Sequence, residues 1–270
     1  MGAEVEVVYD MPAQVYRARP ELSSTGARRI LRTPSHFRHG EGVEEHTDAV
    51  DFGSVVHALV LGDVSRDVVV VDADSWRPKA ARATRDETWE RGGLPILGEG
   101  MGTAQAMAAL VRDHPAAAAL LGQPGRPEVS VFWGERKARF DWLPDGPTRT
   151  GRMVAVDYKT ATDASTSGFA AAVGRHKYHC QAEWYRDALR ALGYADPAFC
   201  FVVQEKTAPY DVAVFELDAQ AERLGADLNA HALDLWDQCR ATGRWPGYPD
   251  HVQTLSLPAW AVYEAEEILA

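Results

Sequence analysis

The sequence has little cysteine and no long apolar run. Three cysteines occur among 270 residues, at Cys180, Cys200 and Cys239, without a CxxC pair or a Cys/His cluster. This spacing argues against a structural zinc site and an iron–sulfur cluster, which both need clustered ligands. Charged residues interrupt the apolar segments well before the roughly 20 residues that a membrane-spanning helix needs. The start, MGAEVEVVYD, is acidic and alternating, unlike a secretory signal. We therefore expect a cytoplasmic protein with no membrane segment.

The chain also lacks an excess of positive charge. Its formal net charge is −11, which at first argues against a nucleic-acid partner. The charge is unevenly distributed, however. Residues 1–160 contain 20 Lys and Arg against 23 Asp and Glu, whereas residues 161–270 contain 8 against 16. Any DNA contact is therefore expected in the first half, because an acidic protein can bind DNA when its positive charges line one groove.

The pattern of apolar residues predicts an α/β fold with a central mixed β-sheet flanked by helices. We expect a single domain over 1–270, in which 1–125 is mainly helical and 126–270 holds the catalytic sheet and the C-terminal helices. Segment 76–91 is expected to be a flexible loop or a loose helix. Helices are predicted at 21–32, 51–61, 101–121 (broken near Pro115), 166–193 (one or two) and 219–243. Strands are predicted at 68–72, 128–133, 138–143, 153–159, 199–204 and 210–217.

Three residues on adjacent predicted strands carry the strongest chemical signal. Asp141 lies in RFDW, and Asp157 and Lys159 lie in VDYKT. Residues i and i+2 of a strand project to the same face, so Asp157 and Lys159 emerge together, and a hairpin brings Asp141 beside them. Converging carboxylates repel each other and favour a bound cation, with oxygen ligands selecting Mg²⁺ or Mn²⁺. A lysine there can act on a water or stabilise charge on a phosphate.

Along nearly its whole length the chain resembles the RecE-type (exonuclease VIII-like) phage and prophage exonucleases of the PD-(D/E)xK nuclease superfamily. The matching segments are FGSVVHALVLG, HPAAAALLG, EVSVFW, RFDWLP, VDYKTATDAS, YHCQAEWY and WPGYPDHVQTLSLPAW. The resemblance implies a restriction-endonuclease-like core in which Asp141 and Asp157 bind metal and Lys159 is the catalytic lysine. The family usually has Arg-Pro-Asp around the first aspartate, whereas this chain has Arg139-Phe140-Asp141; the aspartate itself is kept.

Other residues are expected to support this centre. By the resemblance, His57 supplies a further metal ligand, and Gln181 and Tyr185 match the QxxxY motif beside the site. Spaced one helical turn apart, these two side chains share a face and could bind a phosphate or orient Lys159, or form an ordinary amphipathic face. Glu128, at a strand start, could bind a second metal or hold a water, or be an exposed strand-end charge. We also expect the backbone carbonyl of Tyr158 to be a metal ligand.

Basic residues in the less acidic half are expected to form the positive wall of a DNA channel. They lie near the predicted His57 helix in sequence. The acidic residues of 161–270 would then cover the outside of the protein. The wall comprises Arg28, Arg29, Arg32, Arg77, Lys79, Arg82 and Arg85.

The expected function is Mg²⁺-dependent degradation of linear duplex DNA, with Mn²⁺ able to substitute. The resemblance further implies 5′-to-3′ polarity leaving 3′ single-stranded tails, a ring-shaped homo-oligomer around DNA, and a single-strand annealing protein as partner in recombination. Two alternatives remain at this point. One is a structure- or sequence-specific endonuclease on the same core. The other is a non-catalytic DNA-binding protein, which predicts the loss of a catalytic residue, and none is missing.

Overall fold

The computed structural model describes residues 5–40, 48–63 and 66–270. The strands are β1 (Val5–Val8), β2 (Leu22–Ser23), β3 (Val68–Val71), β4 (Leu94–Leu97), β5 (Gly125–Trp133), β6 (Arg136–Pro144), β7 (Val154–Ala161), β8 (Ala198–Glu205) and β9 (Val212–Glu216). Seven of them form a mixed sheet in the order β1-β5-β6-β7-β8-β9, with β2 paired to β6; β3 and β4 form a separate parallel pair. The predicted α/β class with a central mixed sheet is confirmed.

The helices lie on both sides of the sheet. They are α1 (Ala13–Ala18), α2 (Ser24–Ile30), α3 (Pro34–His39), α4 (Asp48–Leu61), α5 (Lys79–Glu90), α6 (Gly98–Asp113), α7 (Pro115–Leu121), α8 (Thr166–His176), α9 (Tyr178–Ala191), α10 (Ala219–Thr242) and α11 (Ala259–Leu269). Apolar residues of α2, α9 and α10 pack on one face, and those of α4, α6 and α7 pack on the other. In the described part of the chain, none of these helices has both the length and the apolar character needed to cross a membrane.

Strand alternation divides β7 between the two faces of the sheet. Ala155 packs with the α9 and α10 side, whereas Val156 and Tyr158 pack with the α4 and α6 side. Since successive side chains of a strand point to opposite faces, Asp157 and Lys159 emerge toward α9. The chain β5-β6-β7 is an antiparallel meander, as predicted, and β8 then pairs with β7 in parallel.

Two local predictions are refined by the structure. Ser23 caps α2 by accepting a hydrogen bond from the Gly26 amide, in agreement with the predicted helix start. Pro115 begins a new helix, α7, after His114, since proline suits the first helical turn and not the interior.

Of the two forms expected at 76–91, a flexible loop or a loose helix, the structure has a helix. This is the twelve-residue helix α5. Ala81 and Thr88 of this helix are buried, so two small side chains are enough to seat it against the β3–β4 pair. Five short elements were not predicted: β1, α1, β2, α3 and β4. The exposed helix α11 was not predicted either, because it buries none of its residues.

Helix α9, which carries Gln181, is held close to α10. A Cβ atom added at Gly225 of α10 would lie 2.3 Å from the carbonyl oxygen of His179. Asn229, one turn further along α10, donates a hydrogen bond of 2.9 Å to the carbonyl of Cys180. The two backbones therefore touch where α9 begins, and glycine is required at the contact.

We predict that Gly225→Ala destabilises the protein by about 1–3 kcal/mol, the usual cost of overpacking. Gly174→Ala is the matched control, because Gly174 also lies within a helix but has no atom within 4 Å of an added Cβ. The control should be neutral or more stable, since alanine favours helices by about 0.5–1 kcal/mol over glycine. Urea unfolding of both variants measures this, and equal midpoints would contradict the proposed contact.

Candidate active site

The sheet opens between β6 and β7 at the predicted catalytic aspartates. The two strands are paired at Trp142 and Val156, and the next facing positions, Asp141 and Asp157, are outside the ladder. The backbone amide of Tyr158 donates instead to Asp141 Oδ2, at 2.9 Å. A side-chain oxygen therefore replaces a backbone acceptor, which places the Asp141 carboxylate in the gap between the strands.

Glu128 lies across from Asp141 on the other side of β6. The neighbouring pairs, Pro127 with Trp142 and Val129 with Phe140, belong to the β5–β6 ladder, and the position between them is Glu128 facing Asp141. Glu128 has a φ of 55°, in the left-handed region. That conformation costs a non-glycine residue roughly 1–2 kcal/mol. Like charges on directly opposed residues are also unfavourable. Both features indicate a functional position for Glu128.

His57 of α4 completes a three-residue cluster with these two acids. Its Nε2 lies 3.1 Å from Asp141 Oδ2, and its Nδ1 lies 3.8 Å from Glu128 Oε1. One potential ligand atom from each of His57, Glu128 and Asp141 lies within 4.8 Å of the others. The three side chains are only partly buried, so the cluster is open to solvent from one side.

Asp157 is buried and held on both of its oxygens. Lys159 Nζ lies 2.5 Å from Oδ2, and Gln181 Nε2 donates to Oδ1 at 2.6 Å. The structure thus brings the DxK pair and the glutamine of the QxxxY motif together. Asp157 is not part of the cluster formed by His57, Glu128 and Asp141, and its role as a metal ligand stays a prediction, as does that of the Tyr158 carbonyl.

Tyr185, the second residue of the QxxxY motif, forms a hydrogen bond with strand β6. Its hydroxyl donates to the backbone carbonyl of Arg139 at 2.8 Å. The Arg139 side chain in turn pairs with Glu128 and donates to the carbonyl of Met11 at 2.7 Å. Tyr185 and Arg139 therefore fix the strand and the acid beside Asp141. No role of Arg139 was predicted from the sequence, because its distant partners are visible only in the fold.

Tyr178 is a second residue that sequence analysis missed. Lys159 Nζ lies 5.0 Å from the centre of the Tyr178 ring, a distance suited to a cation–π contact. Tyr178 precedes Gln181 by three residues on α9, so the two share a helix face. That spacing was the available signal.

The local charges shift several pKa values. Burial works to lower the pKa of His57, but the Asp141 carboxylate raises it to about 9. Burial raises the pKa of Asp157 against the opposing effect of Lys159. Glu128 also has a raised pKa, first because of burial and then because of the charge on Asp141. These shifts show that several carboxylates lie near few positive charges. Such an arrangement favours a bound cation.

The residues present fit a bound divalent cation. One imidazole nitrogen and carboxylate oxygens converge on one point, a donor set compatible with Mg²⁺ or Mn²⁺. Gln181 Oε1 is buried without a hydrogen-bond partner among the described residues, next to the Asp157 carboxylate. An unsatisfied buried acceptor costs about 1–3 kcal/mol, so a ligand or a water near it would be favourable.

The predicted DNA-channel residues fall into two groups. On α2, Arg28 lies 5.9 Å from the Tyr178 ring centre, near Lys159, and Arg29 donates to the Gly40 carbonyl; Arg32 is on the turn after this helix. The others are on or just before α5, on the α4 side of the sheet. There, Arg77 and Arg82 line a cleft with several acids, and Arg85 packs over the Trp89 ring. The structure does not join the seven into one wall.

A family model places the chain in the PD-(D/E)xK nuclease superfamily. The chain belongs to the family described as the PDDEXK-like domain of unknown function (DUF3799), whose model matches residues 23–258. The fold is similar to that of a crystallised protein from Eubacterium rectale named "Putative exonuclease", with 12% sequence identity and a TM-score of 0.60. The match covers 94% of this chain and 98% of that one. No curated protein matches the sequence.

We predict that the cluster binds Mn²⁺ and that Asp141→Asn weakens binding at least about tenfold. Asparagine keeps the shape and an acceptor for the Tyr158 amide but removes the anionic ligand; even loss of a residue that only supports a ligand costs about 10–100-fold. Asp237→Asn, at an exposed position on α10, is the control for lost charge. Calorimetric titration with Mn²⁺ measures both. Equal affinity of Asp141→Asn and the parent would contradict the assignment.

Proposed function

We propose that this protein is a divalent-metal-dependent deoxyribonuclease that degrades linear duplex DNA from its ends. The observation that carries the proposal is the convergence of His57, Glu128 and Asp141 within 4.8 Å, next to the Asp157–Lys159 pair. Membership of a PDDEXK-like family supports phosphodiester hydrolysis as the chemistry.

The site residues have two proposed roles: some bind a cation, and others act on the phosphate. We assign His57, Asp141 and Glu128, whose ligand atoms converge, to a Mg²⁺ site that Mn²⁺ can also fill, with Asp157 and the Tyr158 carbonyl as further proposed ligands. A bound divalent cation would supply Lewis-acid polarisation of a phosphoryl oxygen and lower the pKa of a water. The imidazole of His57 is a softer donor than oxygen, which favours Mn²⁺ at least as much as Mg²⁺.

Lys159 is the group that we assign to the reacting atoms. Its ammonium contacts Asp157 and lies over the Tyr178 ring, so it is oriented from two sides. The pKa of Lys159 is raised, since the charges of Asp157 and Asp141 outweigh the lowering effect of burial. The group is therefore cationic at neutral pH and suited to orient a water and to stabilise negative charge on a phosphate. Gln181 and Tyr185 are positioning residues for Asp157 and β6.

Exonuclease action is favoured over endonuclease action by two similarities. The chain resembles the RecE-type enzymes along nearly its full length, and its structural neighbour is named an exonuclease. With that resemblance we propose 5′-to-3′ degradation leaving 3′ tails for strand annealing in the cytoplasm, a ring-shaped homo-oligomer, and an annealing protein as partner. The basic residues of α2 and α5 are proposed to contact the duplex outside the cleft.

We predict that the protein shortens end-labelled linear duplex DNA with Mg²⁺ and leaves closed circular DNA intact. Chelation with EDTA should stop the reaction, because the acidic cluster would lose its cation. Loss of a 5′ label as mononucleotide before a 3′ label is released would support the proposed polarity. Linearisation of the closed circle would instead establish an endonuclease, and no cleavage of either substrate would refute the proposed activity.

Substitution of Lys159 by alanine should lower the cleavage rate at least about 100-fold, comparable to the loss of one preorganised donor. DNA binding should be nearly unchanged, because affinity comes mainly from phosphate contacts by other basic groups. Single-turnover cleavage and fluorescence anisotropy separate the two effects, and urea unfolding in Mg²⁺ checks the fold. A variant as active as the parent would exclude a catalytic role for Lys159.

A further inference from the structure

The cluster of His57, Glu128 and Asp141 borders a cleft of about 470 Å³. His57 and Glu128 line it, and so do three basic residues that come from different parts of the chain: Arg66, Arg139 and Lys206. One further acid, Asp63, also lines the cleft. The cleft is the route by which a phosphodiester would reach the cluster.

The three basic residues differ in what they contact. Arg139 is committed to the structure through Glu128 and the Met11 carbonyl. Arg66 makes one long hydrogen bond, 3.5 Å from its Nε to the Gly92 carbonyl. For Lys206, no carboxylate lies within ion-pair distance in the ranges that the structure describes. Its neighbour Glu205 is engaged by the Ala164 amide.

Lys206 lines the cleft together with His57 and Glu128 in a molecule in which 39 acidic residues outnumber 28 basic ones. Carboxylates in the cleft repel a nucleic-acid backbone, so cations left free at its rim reduce that barrier.

The fold fixes Lys206 with respect to the catalytic strand. Its backbone amide donates to the Ala161 carbonyl at 2.9 Å, at the end of the parallel β7–β8 pair. It therefore lies about four strand residues, roughly 13 Å, beyond Asp157. Phosphates of one DNA strand advance about 3.4 Å per nucleotide along the duplex axis, so this distance corresponds to a few nucleotides from the scissile bond.

Arg66 lines the same cleft but comes from a different part of the chain. It follows α4, the helix that carries His57, whereas Lys206 follows β8. We propose that Lys206 and Arg66 bind backbone phosphates of the strand that enters the cleft. This rests on the proposed nuclease function and adds its main substrate contacts. Because phosphates carry no base identity, the contacts set affinity for a polynucleotide without setting sequence preference.

The test compares Lys206→Gln and Arg66→Gln with Arg223→Gln. Arg223 is an exposed cation on α10, paired with Asp227. The Arg223→Gln substitution removes the same charge at a residue that does not line the cleft. Binding of a duplex oligonucleotide is measured by anisotropy from low to high KCl in the Lys159→Ala background with Mg²⁺. Each cleft variant should flatten the log–log salt dependence by about 0.9, one phosphate on duplex DNA, for two unrelated sequences alike.

In the otherwise wild-type enzyme, each cleft variant should raise KM about tenfold, in line with a lost hydrogen bond to a charged group. The kcat at saturating DNA should stay within about twofold, since neither residue is assigned to the reacting atoms. An unchanged slope and KM in variants of an enzyme that cleaves DNA would overturn this proposal alone. A parent protein that neither binds nor cleaves DNA would overturn the proposed function with it. An equal effect of Arg223→Gln would show that only the net charge of the protein matters, and this outcome would also overturn the proposal.

Discussion

Mutual repulsion among carboxylates at the opening between β6 and β7 is the constraint on which the site depends. Glu128, Asp141 and Asp157 occupy facing positions on three consecutive strands, where a regular sheet would oppose like charges. The surrounding structure offsets this with one positive partner for each acid: Arg139, His57 and Lys159. The partners come from β6, α4 and β7, so the packing of both sheet faces is needed to hold the charges together.

Helices on the two faces of the sheet bring different side chains to this opening. Helix α4 brings His57 from one face, and α9 brings Gln181, Tyr185 and Tyr178 from the other. The close contact of α9 with α10 fixes the depth at which Gln181 meets Asp157. The strand gap between β6 and β7 thus lies between the cluster that contains His57 and the Asp157–Lys159 pair.

The structure shows how this acidic protein uses the basic residues near its site. Most cations near the site are used internally: Arg139 binds Glu128, Lys159 binds Asp157, and Arg28 donates to the His176 carbonyl. Uneven charge along the sequence predicted DNA contact in residues 1–160, which stays a prediction, and it could not identify which basic residues line the cleft. The seven basic residues chosen from sequence are on two separate groups of elements, and none of the basic residues that line the cleft, Arg66, Arg139 and Lys206, was among them.

Sequence alone determined the fold class, the antiparallel meander, most long helices, and the chemistry expected of Asp141, Asp157 and Lys159. These follow from period-two and helical repeats and from spacing within one strand, which are local properties. Tertiary structure decided what sequence spacing cannot encode. It set Glu128 opposite Asp141, brought His57 to them from 71 residues earlier in the chain than Glu128, and left Lys206 at the cleft rim. Contacts between distant elements depend on how strands pair and helices pack, and no local pattern records that.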